Sequence, residues 1–240
     1  MHQRYLTPLA ALLLTAGCSG NLSVERVGPK PAAGGQVVLL LHGYGASGDD
    51  LVGLAKEVAS ALPSTTFWMP AGPHRVGMGG RSWVPQFSAP SRAEYQKRLI
   101  VEAEDTRTKL WRLVEDARAS GVECKDIFVG GFSLGGRMAL ELAARAPDDC
   151  VLGGLIVMSG GGMDELDLPE TGARTRVLVT QGKADSVVPL QKGLATARAL
   201  AKRGDPVEWL QFEGAHQIPP AVRQALAPFL RGEAAGTAVP

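Results

Sequence analysis

From Gln36 onward the chain alternates short, densely apolar runs with longer stretches in which apolar positions recur every three or four residues. The short runs predict strands at Val37–Leu41, Thr66–Met69, Ile127–Gly131, Leu155–Met158, Arg176–Thr180 and Val207–Phe212. Several are apolar throughout, as strands covered by helices on both faces should be. The longer stretches predict helices at Asp50–Leu62, Arg92–Ala119, Leu134–Ala146, Leu190–Arg203 and Pro220–Leu230. Ser91 followed by Glu94 reads as a capping box opening the longest of them, and Pro147 marks the end of the helix that begins at Leu134. Strand and helix in alternation imply an α/β protein built on a mostly parallel sheet.

The first 35 residues follow neither period. Arg4, the apolar run Leu6 to Ala16 and the small residues before Cys18 have the pattern of an export signal, and the run is too short to span a bilayer. Leu14-Thr15-Ala16-Gly17-Cys18 resembles the lipobox of bacterial lipoproteins, in which the cysteine becomes the lipidated first residue. The resemblance implies a signal over 1–17 and lipidation at Cys18, hence export and a membrane anchor. Ser19 after that cysteine implies the outer membrane or its periplasmic face where a cell has two membranes. Residues 18–35, rich in Gly, Pro and Ala, read as a flexible tether spanning on the order of 20 Å, and residues 232–240 read as a disordered tail. The folded domain is expected over 36–231.

Composition narrows the partners. Lys+Arg 25 against Asp+Glu 24 leaves a formal charge of +1, with no basic stretch interleaved with aromatics, so nucleic acid is not an expected partner. With 45% hydrophobic residues, 240 residues suit one domain and leave no room for a large cap domain. No cluster of metal-ligand spacing stands out, so neither metal nor cofactor is expected.

Chemistry concentrates at four places. Gly131-Phe132-Ser133-Leu134-Gly135 matches G-x-S-x-G between a predicted buried strand and a predicted helix, the context in which a serine is presented as a nucleophile. His216, just after the run Val207–Phe212, stands where a base would follow a strand. Asp185, after Arg176–Thr180, lies between serine and histidine in chain order, as an orienting acid would. Asp164, Glu165 and Asp167 compete for that role from a stretch that reads as solvated loop. The backbone N–H groups of Leu134 and Tyr44 are candidates to stabilise an oxyanion. Taken alone, Leu41-His42-Gly43-Tyr44-Gly45 reads equally as a tight turn after a strand. His42 suits structural support of that loop, whereas His2 falls in the signal and His74 in a Gly-rich loop.

Leu39 to Gly45 with Asp49, then Gly130 to Gly136, then Gly182 to Pro189, then His216, together resemble the phospholipase/carboxylesterase family, which includes acyl-protein thioesterases. The resemblance covers nearly all of Val37 to Leu230. It implies the α/β-hydrolase fold, a metal-free and cofactor-independent serine hydrolase, and the triad Ser133, Asp185 and His216 with the amides of Tyr44 and Leu134. It implies a small-molecule or lipid-like ester as substrate, with thioester or lysophospholipid hydrolysis as alternatives at the same site. A non-catalytic lipoprotein that uses the fold as a binding module is the reading from another class.

Two departures bear on substrate. Trp83 is followed by Val84 and Pro85 where relatives often carry an aromatic and acidic pair, and Leu134 stands where Gln is frequent. The long segment Pro70 to Pro90 suggests a loop over the site, in which Met78, Trp83 and Phe87 either line an acyl pocket or pack the loop down. In the family's strand order the strands after Cys124 and Cys150 are neighbours, about 4.8 Å apart, so a disulfide between these cysteines is within reach.

Overall fold

The computed structural model describes residues 22–161 and 174–240. Cys18 with its export signal, and Asp164, Glu165 and Asp167, lie outside the described residues.

Seven strands form one sheet. In chain order they are β1 (Val24–Val27), β2 (Gln36–Leu41), β3 (Thr65–Pro70), then β6 (Ile127–Phe132), β7 (Gly154–Met158), β8 (Val177–Gly182) and β9 (Val207–Phe212), with β4 (His74–Val76) and β5 (Gly80–Ser82) forming a separate hairpin. The spatial order is β1-β3-β2-β6-β7-β8-β9, parallel except for β1, which runs antiparallel to β3. The helices are α1 (Val52–Ala59), α2 (Arg92–Glu102), α3 (Glu104–Ala119), α4 (Leu134–Ala144), α5 (Leu190–Arg203) and α6 (Pro220–Leu230).

Strand side chains alternate between two cores, as the period of two requires. Val37, Leu39, Leu41, Ile127, Val129, Leu155 and Val157 pack against α3, α4 and α5. Val38, Leu40, Phe128, Ile156 and Leu178 pack against α1 and α6. This three-layer arrangement, a mostly parallel sheet flanked by helices, is the α/β-hydrolase architecture the sequence implies.

The boundaries need four corrections. The expected helix over Arg92–Ala119 is broken at Ala103; there the Ile100 carbonyl, which a continuous helix would bond to the Glu104 amide, accepts Arg107 Nη1 at 2.9 Å. Helix α1 is shorter than Asp50–Leu62, because its ends tighten into three-residue turns such as Val52 N–H to the Asp49 carbonyl. The segment read as a tether contributes β1: Val24 and Val27 are half-buried, and the Arg26 guanidinium lies 5.2 Å from the Trp68 ring. An edge strand of four residues needs only this much apolar surface, too little to register as a period. Finally, the expected disordered tail is tied down. Trp209 and Thr237 exchange backbone hydrogen bonds of 2.8 and 2.9 Å, and Arg198 Nε donates to the Pro240 carbonyl at 2.9 Å.

Cys124 and Cys150 are joined by a disulfide with Cα atoms 5.3 Å apart. They precede β6 and β7, neighbours in the sheet, so the bond ties the N-terminal ends of two central strands.

Candidate active site

The chain steps outward from β2 to β3 on one side, then crosses to β6 on the other side of β2. Open parallel sheets form their crevice at such a reversal, beyond the C-terminal ends of the strands. His42-Gly43-Tyr44 leaves β2 there and Ser133 leaves β6 beside it. Ser133 sits at φ +53°, ψ −120°, in the left-handed region that costs a side chain on the order of 1–3 kcal/mol. Its flanking glycines are required by space. A Cβ on Gly135 would lie 2.1 Å from the Leu41 carbonyl oxygen, and one on Gly131 would lie 2.5 Å from the Gly135 backbone. The turn therefore presses the first turn of α4 directly on the end of β2.

Asp185 and His216 come from the loops after β8 and β9, which are knit together by Lys183 N–H to the Phe212 carbonyl (3.0 Å) and Ala184 N–H to the Gly214 carbonyl (2.9 Å). His216 Nδ1 lies 2.8 Å from Asp185 Oδ2, while Asp185 Oδ1 accepts the amides of Val187 (2.9 Å) and Val188 (2.8 Å). Burial would raise the Asp185 pKa, but the hydrogen bonds from His216 and the two amides, with the imidazolium charge, outweigh it and hold the carboxyl below its ordinary value. The ring of Phe132, the residue before the serine, packs 4.6 Å from the His216 imidazole and so sets that ring beside the elbow. With Nδ1 engaged by Asp185, Nε2 is the ring nitrogen that the acid leaves free.

The loop after β2 is fixed by His42. Gly72 N–H donates to His42 Nε2 (2.9 Å), so Nε2 is unprotonated and the proton sits on Nδ1, donating to the Gly43 carbonyl (2.7 Å). Burial pushes the pKa of this ring down, more than the Gly43 hydrogen bond raises it. Trp83 Nε1 donates to the His42 carbonyl at 2.8 Å, and Gly45 N–H to the Arg81 carbonyl at 2.9 Å. Gly43 lies so close to the elbow that a Cβ on it would be 3.6 Å from Ser133 Cβ. Among the described residues, the amides of Tyr44 and Leu134 donate to no protein acceptor. Leu134 is also the first residue of α4, where the helix dipole favours negative charge.

Residues 22–233 match the model of the phospholipase/carboxylesterase family. The chain belongs to that family. It is a carboxylic ester hydrolase. The chain is similar to acyl-protein thioesterase 1 of Kluyveromyces lactis, 29% identical over 72% of this chain and 79% of the relative. It is similar to carboxylesterase SOBER1 of Arabidopsis thaliana, 25% identical over 74% and 81%. Among solved structures, esterase PE8 is 27% identical with a TM-score of 0.75, covering 88% of this chain and 99% of that one. Acyl-protein thioesterase 2 of Zea mays shares the fold, with a TM-score of 0.68 at 20% identity over 88% and 98%.

Of Met78, Trp83 and Phe87, expected either to line an acyl pocket or to pack the loop down, Trp83 does the second. Trp83 is wholly buried, holding His42 and accepting Thr106 Oγ1 on its carbonyl at 2.6 Å, so it touches no substrate. Met78 is fully exposed at the tip of the β4–β5 hairpin. Phe87 stacks with Tyr95, ring centroids 4.8 Å apart, under the Arg98 guanidinium. A cleft of about 320 Å³ beside His216 is walled by Leu51, Leu54, Phe132 and Ile218, with Asp50 and Arg223 also lining it. Gln181 also escaped the sequence reading. Fully buried, it donates from Nε2 to Asp185 Oδ2 (2.9 Å) and to the Val188 carbonyl (2.7 Å), holding the acid loop closed. Its place at the end of β8, four residues before Asp185, was the available signal. Among the described residues no three His, Cys, Asp or Glu gather as a metal site.

Proposed function

We propose that this hydrolase acts through an acyl-enzyme on Ser133, with His216 as base and Asp185 as the acid that orients it. The observation that carries the reading is the hydrogen-bonded Asp185–His216 pair, packed through Phe132 against a serine held on a strained elbow. Ser133 Oγ attacks the ester carbonyl carbon and its proton passes to His216 Nε2. The negative charge on the former carbonyl oxygen is met by the amides of Tyr44 and Leu134, fixed before reaction by His42 and by α4. Collapse breaks the bond to the alcohol oxygen, which leaves with the proton from His216. Water then attacks the acyl-enzyme, again losing its proton to His216, and the carboxylic acid departs as Ser133 is restored. Asp185 stays ionised throughout, stabilising the transient imidazolium.

A fluorophosphonate probe should label the wild type once, on Ser133. Ser133→Ala should remain folded while hydrolysis of p-nitrophenyl butyrate falls by several orders of magnitude. A folded Ser133→Ala protein of near wild-type rate would refute the assignment. Thioesters suit the same steps with a thiol as leaving group, a reading favoured by the relatives named as acyl-protein thioesterases. Comparison of kcat/KM on matched oxygen and sulfur esters separates the two.

The export signal and Cys18 support a lipid-anchored protein outside the cytoplasm. Because β1 begins at Val24, the interval from Cys18 reaches no more than about 20 Å even if fully extended, so the anchor would hold the domain close to the bilayer. Cys18→Ala is expected to move the protein from the membrane fraction to the soluble one. Retention in the membrane fraction would overturn the anchor.

A further inference from the structure

Away from the catalytic crevice, α3 and the C-terminal end of α4 enclose a cleft of about 430 Å³. Trp111, Leu142 and Pro147 give it apolar walls, and Arg107, Arg112 and Arg145 face a single acid, Glu104, in its lining. We propose that this cleft binds an amphipathic carboxylate, its head on Arg107 and Arg145 and its chain across Trp111 and Leu142.

A buried acid lies beneath the floor of the cleft. Glu141 is buried, and three guanidinium groups share it: Arg145 at 2.7 Å, Arg137 at 3.4 Å and Arg107 at 4.0 Å. The 4.0 Å contact leaves Arg107 the farthest of the three from this acid, with Glu104 as the other carboxylate acting on it. The Arg107 side chain is only 15% exposed, and it makes one hydrogen bond, to the Ile100 carbonyl at the α2–α3 break. Among the described residues Arg145 donates only to Glu141 and Arg112 to nothing. The cleft is therefore bordered by guanidinium N–H groups that meet no further acceptor among the described residues. Burial, and next the charge of Arg145, push the Arg107 pKa below the ordinary arginine value, more than Glu141 and Glu104 raise it.

The geometry also selects the ligand. Arginine forks match a planar carboxylate through paired hydrogen bonds, and such charge-assisted bonds are stronger than neutral ones. An apolar wall next to a small set of polar groups is the usual make-up of a small-molecule site, and a bare inorganic anion would leave Trp111, Leu142 and Pro147 unused. Helix α4 separates this cleft from Ser133 by about 18 Å, twelve residues at 1.5 Å each, so it is distinct from the catalytic cleft.

The test uses the full-length Ser133→Ala protein, so that binding is read independently of catalysis. Sodium octanoate is titrated while tryptophan emission is followed, with Trp111→Phe as the variant that must lose the signal. Saturable binding is expected, with octanol, acetate and octylammonium each at least about tenfold weaker. Arg107→Gln and Arg145→Gln, checked for folding by circular dichroism, should each weaken octanoate about tenfold or more. Arg112→Gln, at an exposed position with no partner among the described residues, keeps the test available if the buried variants do not fold, and should weaken it severalfold. No saturation at millimolar octanoate, equal binding of octanol or acetate, or folded arginine variants that bind as well as the parent would each overturn the proposal.

Discussion

At His42 a single proton decides whether the loop after β2 is held. The folded state needs Nε2 bare to accept the Gly72 amide, and burial lowers the pKa below the ordinary histidine value of 6.5. A group whose folded pKa is depressed binds fewer protons folded than unfolded, so its stability contribution is present above 6.5 and is lost as pH falls through the folded value. The melting temperature should therefore fall as pH drops below that value, and His42→Asn should flatten that dependence while costing about 1–3 kcal/mol at pH 8. Thermal melts of both proteins from pH 8 to 5 check it; parallel curves would remove His42 from the pH response. The placement of Ser133, Asp185 and His216 was legible because each lies just after a run that reads as a strand, and strand ends are where this fold gathers its loops. The places of Trp83 and Met78 stayed open for one reason. An aromatic or a methionine in a Gly- and Pro-rich stretch carries no period, so nothing local says which way it faces.

Elements with a period in sequence kept their places. The five central parallel strands and the helices α4, α5 and α6 are apolar at spacings that survive any neighbour, and they were predicted within a few residues. What escaped prediction depends on a partner. β1 owes its pairing to the exposed edge of β3, and the α2–α3 break owes its position to a side chain four residues beyond it. Glycine tests how tightly elements meet. At Gly135 an added methyl would enter the carbonyl of Leu41, and Gly135→Ala should cost about 3 kcal/mol or more with loss of activity. Gly53 in α1 has nothing within 4 Å of the same atom, so Gly53→Ala should instead stabilise by up to about 1 kcal/mol. Urea midpoints of the two variants measure the contrast, and equal effects would mean that the α4–β2 contact yields.

For the molecule as a whole, chemistry and reinforcement sit at opposite ends of the sheet. The Cys124–Cys150 bond closes a sequence separation of 26 residues, which the chain-entropy estimate values at about 3–4 kcal/mol. The double variant Cys124→Ser with Cys150→Ser is therefore expected to melt on the order of 10 °C lower while hydrolysing esters at the parental rate at 25 °C. Differential scanning calorimetry and initial rates together check this, and a fall in rate without a fall in melting temperature would contradict the separation. The pairing of Thr237 with Trp209 has a consequence of another kind. β9 ends the sheet on that side, and an uncovered outer strand offers its free amides and carbonyls to any other chain in solution. The last residues lie against it where a second molecule would otherwise add, so a protein shortened before Thr237 would keep its chemistry and gain a tendency to self-associate into fibrous aggregates.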